Sequence, residues 1–158
     1  MKEINLEESK YAHKAMKLFK EGYNCSQSVF LAFEDKYAMD HKAASMLSSS
    51  FGGGMGRLRE VCGAVSGMFM VAGILYGYEY PDDQEAKTCH YRRIQELAAE
   101  FETYTGSIVC RTLLGLDKHK DDPVPEKRTE EYYKKRPCEQ LTGIAAAIME
   151  NYITEHPF

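Results

Sequence analysis

A chain of 158 residues with a formal net charge of -4 can bury one hydrophobic core without disulfide staples, and its acidity excludes the electrostatic footprint of a nucleic-acid binder. With 44% hydrophobic and 28% charged residues its composition argues against disorder, and no membrane span is expected, since the longest apolar run, around Met68 to Tyr78, falls short of the roughly 20 residues that cross a bilayer. The opening MKEINLEESK has no apolar signal core, so the expected location is the cytoplasm.

Tyr11, Ala15, Leu18 and Phe19 recur at helical spacing and predict a first helix over about Asn5 to Lys20, ended by Gly22. Asn24 is an N-cap for a second helix with Cys25 in its first turn, and Asp40 one for a short helix through Ala43, Met46 and Leu47. Gly52, Gly53, Gly54 and Gly56 then make a loop. From Arg59 onward, Val61, Ala64, Val65, Met68, Phe69, Val71, Ala72 and Leu75 are too dense for a half-buried strand and suit a central helix contacted on several sides. After a break from Gly77 to Pro81, Asp82 caps a long polar helix from Gln84 to about Tyr104, striped by Ile94, Leu97, Ala98 and Phe101. Cys110 opens a short segment, Asp117 to Lys127 is a loop, and Glu126 to Arg136 is a charged segment that reads as a solvated helix whose Tyr132 and Tyr133 touch the body. Pro137 suits the first position of a last helix with Ile144, Ala145, Ile148 and Tyr152 inward. No stretch alternates with period two, so the expected fold is all-α, a helical bundle forming one domain over residues 1–158.

The cysteines are the residues to explain. Five is an odd number for a disulfide framework, and a cytosolic setting favours metal ligation or redox chemistry over structural bridges. Cys25, Cys110 and Cys138 fall at predicted helix starts, where free amides and the helix dipole stabilise a thiolate, the form that attacks disulfides and ligates soft metals. Cys62 stands between the glycine loop and the central helix. Gly53, Gly54, Gly56, Gly63 and Gly67 are the positions open to close approach by a second backbone or by a cofactor. Each cysteine alone is better explained as a small core residue; four in such settings together favour a functional site.

Other features point to less. Cys89 lies inside the polar helix beside His90, where adjacent side chains diverge, so it reads as a packing residue. His13, His41, His119 and His156 lie among charges without metal-binding spacing and read as surface residues. No C-x-x-C pair is present, which weakens a zinc ribbon or a thioredoxin-like site. The glycine loop lacks the lysine and the preceding strand of a phosphate-binding loop. Arg57 and Arg59 beside that loop could pair with an anion, but a surface salt bridge with Glu60 and other carboxylates is their better reading, and the eight methionines read as core filler.

Cys25 in YNCSQSVFLAF, the block FGGGMGRLREVCGAVSG, Cys110 in CRTLLG and Cys138 in PCEQLTGIAAAIME together resemble the redox-active family named for its pattern C, GCAxxG, C, C. The resemblance covers nearly the whole chain; the central motif departs from it, reading Cys62, Gly63, Ala64 after Val61. It implies a redox or iron–sulfur role in which Cys25, Cys62, Cys110 and Cys138 are the family's four cysteines, with Cys89 outside the pattern.

The leading expectation is one redox site built from those four residues, as dithiol and disulfide pairs or as four thiolates holding an iron–sulfur cluster or another soft metal, serving an unspecified redox partner. The competing expectation is a non-catalytic helical interaction module with structural cysteines, whose thiols would label slowly and uniformly. Eleven tyrosines, several among charges, point to a two-fold homodimer through the helix around Tyr91 to Tyr104 or through Tyr132 and Tyr133.

Overall fold

The computed structural model describes residues 2–117 and 119–158. Among the described residues it is all-α: eight α-helices and one short 3-10 turn, with no strand beyond an isolated antiparallel bridge between Val61 and Val109. The helices are α1 (Lys10–Lys20), α2 (Cys25–Ala32), α3 (His41–Ser49), α4 (Gly63–Tyr76), α5 (Gln84–Thr105), α6 (Cys110–Leu113), α7 (Glu130–Lys135) and α8 (Cys138–Glu155). Gly52–Met55 forms helix-like hydrogen bonds, but Gly53, Gly54, Met55, Gly56 and Arg57 all have positive φ, so the segment is a left-handed turn and the glycine loop expected from sequence.

Most helix starts obey local chemistry. Asn24 accepts from the Gln27 amide while the Gln27 side chain accepts from the Asn24 amide, a full capping box, and the Asp40 carboxylate caps α3 through the Ala43 amide. Four boundaries differ from the sequence reading. The first helix starts at Lys10, because the Ser9 hydroxyl accepts from the Ala12 amide and leaves residues 5–9 outside. The central helix begins at Gly63 instead of near Arg59, since residues 59–62 are bonded to residues 108–111. Asp83, one residue after Asp82, caps α5. Pro137 is the N-cap of α8, and Cys138 takes the first helical position.

The core lies where α1, α2, α4 and α8 meet, with α5 laid along α4 and α8, and α3 against α2. Helix α8 buries every residue from Leu141 to Met149, using Gly143 and three successive alanines to bring neighbouring helices close. Helix α4 is enclosed by α2, α5 and α8, as its apolar density requires. Tyr132 and Tyr133 pack on Phe19 within the same chain, whereas Tyr91 is exposed beside Tyr78. None of the helices is long and apolar enough to cross a membrane among the described residues.

The glycines of α4 answer the question raised by their spacing. A Cβ on Gly67 would lie 2.7 Å from the Ser26 carbonyl oxygen and 2.9 Å from Val29 Cβ, so the close neighbour there is the backbone of α2. Gly67→Ala is expected to destabilise the fold by about 1–3 kcal/mol in urea unfolding. Gly73→Ala, on the same helix but with open space around it, is expected to be neutral or to stabilise by up to about 1 kcal/mol. Equal effects from the two substitutions would refute this account of α4 packing.

Candidate redox site

Cys25, Cys62, Cys110 and Cys138 all line one cavity of about 180 Å³. Three occupy the first residue of a helix, α2, α6 and α8, and Cys62 is the N-cap of α4. Two devices gather them. Residues 59–62 are tied to residues 108–111 by bonds from the Cys62 amide to the Ile108 carbonyl (2.8 Å), the Cys110 amide to Glu60 (2.6 Å) and the Arg111 amide to Arg59 (3.3 Å), which carries Cys62 alongside Cys110. Glycines then remove the side chains that would hold the segments apart. A Cβ on Gly63 would lie 3.0 Å from Cys25 Cβ, and one on Gly54 would lie 2.6 Å from Cys110 Cβ and 2.8 Å from Arg59 Cα. Gly52, Gly53, Gly54 and Gly63 border the cavity; Gly56 and Gly67 do not, the latter being packed on α2.

The remaining wall is cationic. Arg57, Arg59, Arg128 and Arg136 line the cavity, the first two brought by the glycine loop and the other two by the residues flanking α7. Arg59 was expected on the surface and is instead 5% exposed. Its Nη2 and Nε lie 3.0 and 3.1 Å from Asp121 Oδ2, and its Nη1 donates to Cys110 Sγ at 3.7 Å. Arg57 donates through Nε to the Asp122 carbonyl (2.6 Å) and reaches Asp121 at 3.7 Å, likewise largely buried. Glu60 pairs with Arg111 at 3.1 Å, not with either of these. Arg128 donates to the Phe19 and Tyr23 carbonyls, satisfying the open end of α1, and stacks on Phe19 and Tyr132. Arg136 pairs with Glu126.

Helix starts alone would lower every one of these thiols; burial reverses that for three of them. The Cys62 thiol is pushed up to about 12, chiefly by desolvation, although the Val65 and Ala64 amides favour its anion. Cys110 is also raised by burial, against the pull of Arg59. Cys25 is raised because its proton is held against Cys138 and because it is buried. Only Cys138 is lowered: the Cys25 thiol donates toward it, and Arg136, Arg59 and Arg128 add their charge against the cost of burial. The site is therefore asymmetric, one thiol prepared to ionise and its neighbour prepared to stay protonated.

Cys89 does not belong to it. It is exposed, with its Sγ 3.9 Å from Arg93, and so is not the packing residue expected. His90 faces inward in its place, 2.9 Å from Arg93 and shifted down by burial and by that cation. The other four histidines are exposed, as read from sequence.

All five cysteines are free thiols. Among the described residues no group of three or more His, Cys, Asp or Glu side chains is arranged to hold a metal ion. The donor chemistry of four thiols suits an iron–sulfur cluster. No curated protein and no solved structure matches the chain. Residues 23–152, which contain all four cavity cysteines, match the family described as "Putative redox-active protein (C_GCAxxG_C_C)", and the chain belongs to that family.

Proposed function

We propose that the cavity is a dithiol redox centre in which Cys138 is the attacking thiolate and Cys25 the thiol that completes the disulfide. The observation that supports it is that both thiols, each the first residue of its helix, line one arginine-walled cavity, with their acidities shifted in opposite directions. The oxidant is a low-molecular-weight disulfide, because a cavity of about 180 Å³ excludes a folded partner. The Cys138 thiolate attacks one sulfur of that disulfide; its S–S bond breaks and one thiolate leaves. Cys25 then gives up its proton to the departing thiolate and attacks Cys138 Sγ, forming the internal disulfide and releasing the second sulfur as a thiolate. The protein loses two electrons and one proton, and the oxidant becomes one thiol and one thiolate. No step runs through a metal.

Treatment with a limiting amount of cystamine, followed by alkylation and peptide mapping, is expected to give the Cys25–Cys138 disulfide first, with Cys89 alkylated. In the reduced protein Cys138 is expected to alkylate fastest among the four cavity thiols. A first disulfide between other residues, slow and uniform labelling of the cavity thiols, or stoichiometric iron and sulfide in anaerobically purified protein would overturn the reading. Uniform labelling would favour the interaction-module alternative, and iron the cluster.

A further inference from the structure

The charges around the cavity do more than tune a thiol. Four guanidinium groups line it. Asp121 meets Arg57 and Arg59, the exposed Asp122 carboxylate comes no nearer to Arg57 than 3.9 Å, and Glu126 meets Arg136. Arg128 is held by two backbone carbonyls instead of a carboxylate. The wall is thus left cationic by its own partners, and Cys138 lines the same cavity as Arg59, Arg128 and Arg136. A cavity of this volume is comparable to the roughly 150 Å³ that accommodates one benzene, so it has room for one compact ligand.

We propose that the cavity is an oxyanion site whose affinity depends on the oxidation state of the Cys25–Cys138 pair, weak when the thiolate occupies the cationic wall and strong when the disulfide has removed that charge. The inference rests on the dithiol reading for its switch, and on the arginine wall for its ligand. Oxidation takes two electrons and one proton from the thiolate–thiol pair and leaves a neutral disulfide, so the sulfur that served as internal counterion no longer does. An external anion, a sulfate-sized oxyanion whether inorganic or the acidic group of a small metabolite, then takes its place. By linkage the same anion favours the disulfide form, so it lowers the reduction potential of the pair.

Calorimetric titration with sulfate, at about pH 9 where a thiol of lowered pKa is largely ionised, compares reduced and disulfide forms of the full chain. The expected result is at least tenfold tighter binding to the oxidised form, and a midpoint potential that falls by about 30 mV for each tenfold difference in affinity. Cys138→Ser, which lacks the thiolate under any redox condition, is expected to bind sulfate as the oxidised protein does. Arg136→Gln in the oxidised form is expected to lose about tenfold in affinity. Equal affinity in both redox states, no binding in either, or Cys138→Ser behaving like the reduced protein would overturn the proposal. Should cystamine fail to produce the Cys25–Cys138 disulfide, the dithiol reading falls by itself, while Cys138→Ser still decides whether the wall binds an anion that the thiolate keeps out. Tighter binding of a small acidic metabolite than of sulfate, displaced competitively by sulfate, would identify the organic source of the same oxyanion.

Discussion

Arg59→Met is expected to cost about 3 kcal/mol of folding stability, at the lower end of what breaking one partner out of a buried ion pair costs. Asp121, whose side chain is 11% exposed, would lose its two closest guanidinium contacts at 3.0 and 3.1 Å and keep the more distant Arg57 at 3.7 Å. That remaining contact is why the lower figure is expected. Methionine conserves most of the apolar volume, so the loss reads the charge and not a cavity. A companion Arg59→Met/Asp121→Asn protein, in which the buried carboxylate charge is removed along with the guanidinium, is expected to recover part of the loss. Urea unfolding gives both numbers. A single substitution within about 0.5 kcal/mol of the parent would place the pair with ordinary surface ion pairs. The same substitution removes the donor on Cys110 Sγ, so that thiol should become still slower to alkylate.

Raising the pH should unfold this protein sooner than its charge alone would require. Cys62 ionises at about 12 in the fold against 9.0 for a free thiol. A folded-state value above the unfolded one means that the stabilisation is fully present below about pH 9 and is lost as pH rises through 12. The gap corresponds to about 4 kcal/mol, taken as an order of magnitude. Burial of Cys25 and Cys110 adds to the loss in the same direction. Comparing the parent with Cys62→Ala isolates the Cys62 part, because Tyr132, also pushed up to about 12, titrates in both proteins. The stability difference between the two is expected to be flat below about pH 9 and to shrink above it. Parallel stability curves across the whole range would show that Cys62 can ionise without leaving its site.

What could be read from the chain, and what could not, divides along the range of the forces involved. The Asn24 and Asp40 caps were legible because the whole interaction spans three residues. Cys25, Cys110 and Cys138 stood out for the same reason, each lying at a helix start, and Cys62 through the glycines on either side of it. Arg59 was misread because its partner Asp121 is 62 residues away and nothing local announces it. Arg128 and Arg136 were lost in a stretch so charged that a solvated helix was its simplest reading; the only hint was that a long irregular segment inside a compact domain is often functional. The thiol acidities were half legible: the helix dipole is a local fact, but desolvation depends on what the rest of the chain stacks above the sulfur. Cys89 failed on register. The divergence of neighbouring side chains was recognised, yet which of Cys89 and His90 faced inward depended on Arg93 and on how α5 lies against the body.

The four segments that meet at the cavity are far apart in the chain, and this imposes an order on biosynthesis. Cys25, Cys62 and Cys110 are all translated before Cys138, at a pace that leaves on the order of ten seconds between the first and the last. Under the proposed Cys25–Cys138 pairing, the three thiols available to Cys25 during that interval, Cys62, Cys89 and Cys110, are those it should not join. An oxidising milieu at the ribosome would therefore trap wrong bridges before α8 exists to claim its partner. Correct maturation requires reductant to persist until release, and a denatured sample refolded in air should return scrambled species that the same chain refolded with excess thiol does not.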